Sequence, residues 1–271
     1  MSNQFKYSTC WEAAEKGDLE ELKLMHQAGY PLFKQRTITE QNNSALSAAG
    51  NGHLDCLRYA HENGCQWHIS TTGYAASKGF IDCLKYAHQN GAQLNVFTTV
   101  GAAERGSLEC LKYAHENGCD WNDWIPRAAA KNGHLDCLRY AHENGCNWNV
   151  WTTRAAAANG HLDCLSYAHK NGCVWDESTT WWAALNGHFD CLRYAHENGC
   201  DWGEKTPEKA AANRTFDCLR YSIENGCPYD HSNELINQFI VNLKSLKRLT
   251  EKISENYLND NIVKHIIVKY V

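Results

Sequence analysis

Cys56, Cys83, Cys110, Cys137, Cys164, Cys191 and Cys218 stand 27 residues apart, and this period constrains the rest of the chain. A second column, Cys65, Cys119, Cys146, Cys173, Cys200 and Cys227, keeps the same period, with Ala92 in its one gap. His61, His88, His115, His142, His169 and His196 make a third column. Trp67, Trp121, Trp148, Trp175 and Trp202 make a fourth, with Leu94 and Tyr229 as apolar substitutes. A chain that copies itself at a short fixed period forms a solenoid, in which each repeat packs only on its neighbours. Of the 14 cysteines only Cys10 lies outside the columns. That count suggests disulfides in a small secreted protein, but the regular spacing assigns the cysteines to one structural slot per repeat.

The clearest repeat starts at Thr152. The run Ala155 to Ala158 is a strong helix former, and Thr152 or its neighbour is expected to cap it. Asn159-Gly160 ends that helix. Leu162, Leu165, Ala168 and His169 then share one face of a second helix, which Asn171-Gly172 closes with a left-handed residue. No alternating pattern supports a strand, so the expected fold is all-α, two short antiparallel helices per repeat. Seven repeats start near Ser44, Thr71, Thr98, Ile125, Thr152, Thr179 and Thr206. A divergent eighth, beginning at Cys10, precedes them, with extra residues between Lys34 and Asn43. Residues 233–257 read as a helix carrying Leu235, Ile236, Phe239, Ile240, Leu243, Leu246, Leu249 and Ile253 at a spacing of three to four. The expected organisation is a divergent capping repeat and longer loop over 1–43, seven repeats over 44–229, and a helical cap or interaction segment over 230–271.

A composition that is 43% apolar and 21% charged belongs to a folded chain. The formal net charge of −5 argues against a protein that coats nucleic acid, which needs an excess of Lys and Arg. No segment approaches the roughly 18–20 apolar residues of a membrane span. The opening residues, Met1 to Lys6, carry no apolar run of a secretory signal.

Ala156-Ala157-x-x-Gly160-His161-Leu162-Asp163-Cys164-Leu165, closing with Asn171-Gly172-Cys173-x-Trp175, resembles the ankyrin repeat. The resemblance recurs over residues 7–229. It departs from the family in period, which is usually about 33, and in lacking the Thr-Pro-Leu-His opening. The missing residues fall between Gly172 and Thr179, where ankyrins carry a hairpin, so the hairpins should be short or absent. Cys- and Trp-rich arrays of this kind are similar to those abundant in large DNA viruses of protists. The resemblance therefore implies a cytoplasmic, non-catalytic scaffold for protein–protein interaction, with no cofactor and no metal.

The candidate site residues follow from what varies between repeats. Phe97, Trp124 and Trp151 share a column that holds Ser70, Ser178 or Lys205 elsewhere. Three residues on, Arg127 and Arg154 give way to Val100 and to Trp181, with Trp182 beside it. First helices line the concave surface of ankyrin arrays. By resemblance Phe97, Trp124, Arg127, Trp151, Arg154, Trp181 and Trp182 therefore map to a partner-binding surface, because Trp, Tyr and Arg dominate interface hot spots. The alternative is that the aromatics fill space left by the missing hairpins. A second alternative is that one aromatic or Arg per repeat stacks on single-stranded RNA, which the acidic charge disfavours.

The other columns have structural readings. The cysteines take slots that ankyrins fill with small apolar residues and serve as core. No Cys-x-x-Cys pair suggests zinc. The histidines are expected to be half-buried, neutral, and bonded to the adjoining loop backbone. Asp55, Asp82, Glu109, Asp136, Asp190 and Asp217 sit three residues before Arg58, Lys85, Lys112, Arg139, Arg193 and Arg220, as salt bridges on a solvated face. Leu258 to Val271 faintly resembles the opening helix of an F-box, with Leu-Asn for Leu-Pro. One helix stands where that motif needs about three, so the expected role is a helix for capping or self-association; the resemblance implies, as the alternative, a ubiquitin-ligase substrate adaptor.

Overall fold

Alanine-rich and leucine-rich segments alternate along the chain, and each folds as one short helix. The computed structural model describes residues 5–33 and 43–256, and these form seventeen helices. No strand forms among the described residues, and one isolated antiparallel bridge joins Phe33 to Asn43. The described residues divide into two compact units, with the boundary between Trp175 and Asp176.

In the first unit, the first helices of successive repeats are α1 (Cys10–Glu15), α3 (Ser44–Asn51), α5 (Thr71–Lys78), α7 (Val96–Arg105), α9 (Trp124–Lys131) and α11 (Val150–Ala158). The second helices are α2 (Leu19–Gln27), α4 (Leu54–Glu62), α6 (Ile81–Gln89), α8 (Leu108–Glu116), α10 (Leu135–Glu143) and α12 (Leu162–Lys170). Each first helix packs on the next first helix and on its own second helix. The pairs Ala75-Ala76, Ala102-Ala103, Ala129-Ala130 and Ala156-Ala157 are all buried, and their small side chains let the backbones stack closely. From the second helix of a repeat, Cys137, Leu138 and Ala141 or their counterparts complete the layer. Among the described residues, no hairpin forms in the loops that follow Gly64, Gly91, Gly118 and Gly145.

The helix starts differ from expectation. Asn149, not Thr152, caps α11, its side chain accepting from the Trp151 amide at 2.9 Å. Thr152 is buried in the first turn and its hydroxyl has no hydrogen-bond partner. Thr153 instead donates to the Val150 carbonyl and to the Val174 carbonyl, each at 3.0 Å, tying the first helix to the loop that closes its own repeat. Thr72 makes the same bond to the Gln93 carbonyl at 2.9 Å. The Thr-Thr pair is thus an interior clamp, and the cap lies three residues earlier, in the loop.

Between the two helices of a repeat, Gly133 has φ +75° and lies under the ring of His161 from the following repeat. A Cβ there would come within 2.6 Å of that ring. The glycine therefore meets two demands: a left-handed backbone and close approach by the next layer.

The second unit holds α13 (Glu177–Leu185), α14 (Phe189–Glu197), α15 (Thr206–Ala212), α16 (Phe216–Glu224) and the long α17 (Glu234–Asn256), close to the helix expected over 233–257. Ile236 of α17 is fully buried, Phe239 stacks on Phe216 with ring centres 5.8 Å apart, and Lys247 pairs with Glu224 at 2.6 Å. Leu235, Val241, Leu246 and Leu249 remain exposed. The F-box-like segment 258–271 and most of the extra loop, 34–42, lie outside the described residues.

Candidate functional site

The exposed side of the first helices carries the variable residues. Phe97, Trp124 and Trp151 are 65%, 56% and 47% exposed, high values for such large apolar side chains. Their column sits at the helix start because Asn95 and Asn149 cap α7 and α11 two residues before Phe97 and Trp151. Phe97 passes over Gly73 of the preceding helix, whose missing side chain leaves room for it.

Arg127 lies between two of these aromatics. Its guanidinium carbon is 4.8 Å from the centre of the Trp124 ring and 5.1 Å from that of Trp151. Arg154 lies 4.7 Å from the Trp151 ring centre. Trp124, Arg127, Trp151 and Arg154 therefore form one alternating aromatic–cation ladder across α9 and α11. Trp181 and Trp182 belong to the second unit, on α13. Their rings meet edge to face with centres 4.4 Å apart, and Lys209 stands 5.7 Å from the Trp181 ring centre.

Charge is distributed unevenly between the helix sets. Helices α5, α7, α9 and α11 carry Lys78, Arg105, Arg127, Lys131 and Arg154 against Glu104 alone. The second helices α4, α8 and α10 each carry two acids and one base. Near the N-terminus, Trp11, Glu15, Leu46, Ser47, Tyr74 and Lys78 help line an open recess of about 440 Å³ on α1, α3 and α5.

The histidine column has a different partner from the one expected. Nδ1 of His61, His88, His115 and His142 lies 2.9–3.1 Å from the hydroxyl of Tyr86, Tyr113, Tyr140 and Tyr167, each in the next repeat. His142 also stacks on Trp148, and His169 on Trp175, with ring centres 3.8 and 3.7 Å apart. The loop backbone bond expected for these rings is replaced: Nδ1 meets the tyrosine hydroxyl of the next layer, while the tryptophan of the repeat's own loop covers the ring face at His142. Burial, with Lys170 nearby, lowers the pKa of His169. The tyrosines recur at the same 27-residue interval as the cysteines, so their column was visible in the sequence, though its partner was not.

The expected salt bridges form in part. Arg193 reaches Asp190 at 3.1 Å and Arg220 reaches Asp217 at 3.8 Å. Arg58, Lys85, Lys112 and Arg139 lie instead over the rings of Tyr86, Tyr113, Tyr140 and Tyr167, at 4.7–5.8 Å. An aromatic face in the adjacent layer competes well with an exposed carboxylate, whose pairing is worth little in water.

All fourteen cysteines, Cys10 included, are buried free thiols. Cys119, Cys146 and Cys173 donate to the carbonyls of Asn95, Asn122 and Asn149, just before the first helix of their own repeats, at 3.2–3.3 Å. Burial pushes the thiol pKa up to about 11 at Cys10 and to about 12 at Cys110, Cys146, Cys173, Cys200, Cys218 and Cys227. Such thiols are poor nucleophiles and poor metal ligands. Among the described residues, no three His, Cys, Asp or Glu side chains converge as a metal site. Nor is any helix there long and apolar enough to cross a membrane.

No curated protein matches the chain. Among solved structures, the human ASB11 ankyrin repeat domain is similar, with a TM-score of 0.53 at 20% identity, over 62% of this chain and 85% of that one. A family profile described as ankyrin repeats (many copies) matches residues 127–169, a span that includes Arg127, Trp151 and Arg154. The chain thus has an all-α helical-repeat solenoid fold like that of an ankyrin repeat domain, and its residues 127–169 match the ankyrin repeat family.

Proposed function

We propose that this chain is a non-catalytic scaffold built from shortened, 27-residue ankyrin-like repeats. It binds a partner protein on the first-helix face through Phe97, Trp124, Arg127, Trp151 and Arg154. Ankyrin repeats generally mediate protein–protein interaction, which supports the class of function. The observation that carries the surface is the exposure of three large aromatics in one column, two of them held in place by guanidinium groups. Aromatics that merely replaced missing hairpins would be covered by their own repeats. Trp181 and Trp182, with Lys209, form a second candidate contact within their own unit. Fourteen free buried thiols support a reducing, cytoplasmic setting, and the likeness to viral arrays belongs to the same reading.

The test is affinity purification from the native cell with the full chain and with the Trp124→Ala/Trp151→Ala variant. Loss of the co-purifying protein with the helical spectrum unchanged is the expected result. Unfolding of the variant would assign the two rings to packing instead.

A further inference from the structure

We propose that the ligand of the first-helix face is an acidic peptide segment. One carboxylate of the segment sits on Arg127, and apolar side chains flank it on Trp124 and Trp151. This rests on the scaffold reading above and specifies the chemistry of the partner.

Three observations support it. First, the chain is acidic overall, yet the first helices α5 to α11 are basic, with five cationic side chains against Glu104. A face of opposite sign to the rest of the molecule steers an acidic segment to that side. Second, Arg127 makes no ion pair among the described residues, although it is only partly exposed. Its guanidinium carbon lies 4.8 and 5.1 Å from the centres of the two indole rings. Two rings so close hold the group in place, and with no internal ion pair its N–H donors can take a carboxylate in bidentate fashion. Third, Trp124 and Trp151 are one repeat apart, about 8–10 Å for stacked helices. A polyproline II segment places residues i and i+3 on the same side at about 9.3 Å, so two apolar side chains three apart reach both indoles.

The same ladder disfavours RNA. A base cannot enter between Trp124 and Trp151, because Arg127 lies there, so the two indoles cannot sandwich one. The acidic second helices would also repel a phosphate chain.

The experiment pans a displayed library of random peptides against the full chain, then measures binding of the selected peptides to Arg127→Gln, Arg127→Lys and Trp124→Ala/Trp151→Ala. Thermal melts confirm that each variant folds. The expected peptides carry Asp or Glu between apolar residues and bind Arg127→Gln about tenfold more weakly, the loss of one charge-assisted contact. They recover only part of that with Arg127→Lys, which keeps the charge but not the planar fork, and they weaken as salt is raised.

Neutral or basic selected peptides, acidic peptides indifferent to Arg127→Gln, or no selection at all would overturn the proposal. If non-acidic peptides are selected and lost in the double tryptophan variant, only the acidic class fails and the scaffold reading stands. If the selected peptides ignore the tryptophans as well, both fail. A labelled single-stranded oligouridylate that binds at low salt, and is lost with Arg127→Gln, would replace the peptide with RNA.

Discussion

The guanidinium of Arg127 lies 5.1 Å from the centre of the Trp151 ring, so a cation in one repeat is held by an aromatic of the next. Trp151 also receives Arg154 of its own helix at 4.7 Å, and is therefore the shared member of two cation–aromatic contacts. Replacing it should cost more stability than replacing Trp124, which has one such contact, with Arg127. The expected loss for Trp151→Ala is about 1–2 kcal/mol, from two contacts of about 0.5–1 kcal/mol each. Trp124→Ala should lose about half as much. Urea denaturation of the two variants checks the order; equal losses would mean that apolar contact, not the cations, holds these rings.

The hydroxyl of Tyr140 is 3.0 Å from Nδ1 of His115 in the preceding repeat. Tyr140→Phe removes that bond while keeping the ring over which Lys112 lies. Stability should fall by about 0.5–1.5 kcal/mol, the usual worth of one such bond. Lys112→Met tests the other half of the contact, and a Tyr140→Phe variant as stable as the parent would make the hydrogen bond irrelevant.

Gly133 and Gly145 both have left-handed backbone, at φ +75° and +80°, but only Gly133 lies beneath a ring. An alanine at Gly145 should cost the backbone strain alone, roughly 1–2 kcal/mol. At Gly133 it should cost more, because its Cβ would overlap the His161 ring at 2.6 Å. Combining Gly133→Ala with His161→Ala should recover the excess, and additive losses in that double variant would contradict the contact.

The buried thiols predict how the fold responds to alkali. Cys146 in the folded chain is pushed up to about 12, whereas an unfolded cysteine titrates near ~8.5. Because the folded value is the higher one, the stabilisation is fully present below about 8.5 and is lost as pH rises toward about 12. Thiolate absorbance should therefore appear together with the loss of helical circular dichroism, not before it. Thiolate forming while the helices persist would show that the cysteines are more open than their burial implies.

The reading from sequence was strongest where one residue meets the same neighbours in every repeat. Cys137, Leu138 and Ala141 were legible as core because a periodic slot must be filled by a residue that suits its layer. It was weaker at the helix starts, where Thr152 is as good a cap as Asn149 by type. The choice between them depends on Thr153 reaching the Val174 carbonyl across the fold. The candidate ladder was legible as two columns, one aromatic and one basic, but not as a stack.

The sequence by itself determined the period, the two helices per repeat, the glycine breaks and the apolar slots, all properties of a residue and its near neighbours along the chain. The tertiary structure decided which columns touch. His115 meets Tyr140, Arg58 meets Tyr86 and Arg127 meets Trp151 at separations of 24 to 28 residues. Periodicity states that columns exist, but the offset and rotation between stacked layers decide which columns face each other. That geometry is set by the packing of successive first helices on one another, with the buried alanine pairs on those helices allowing a close approach.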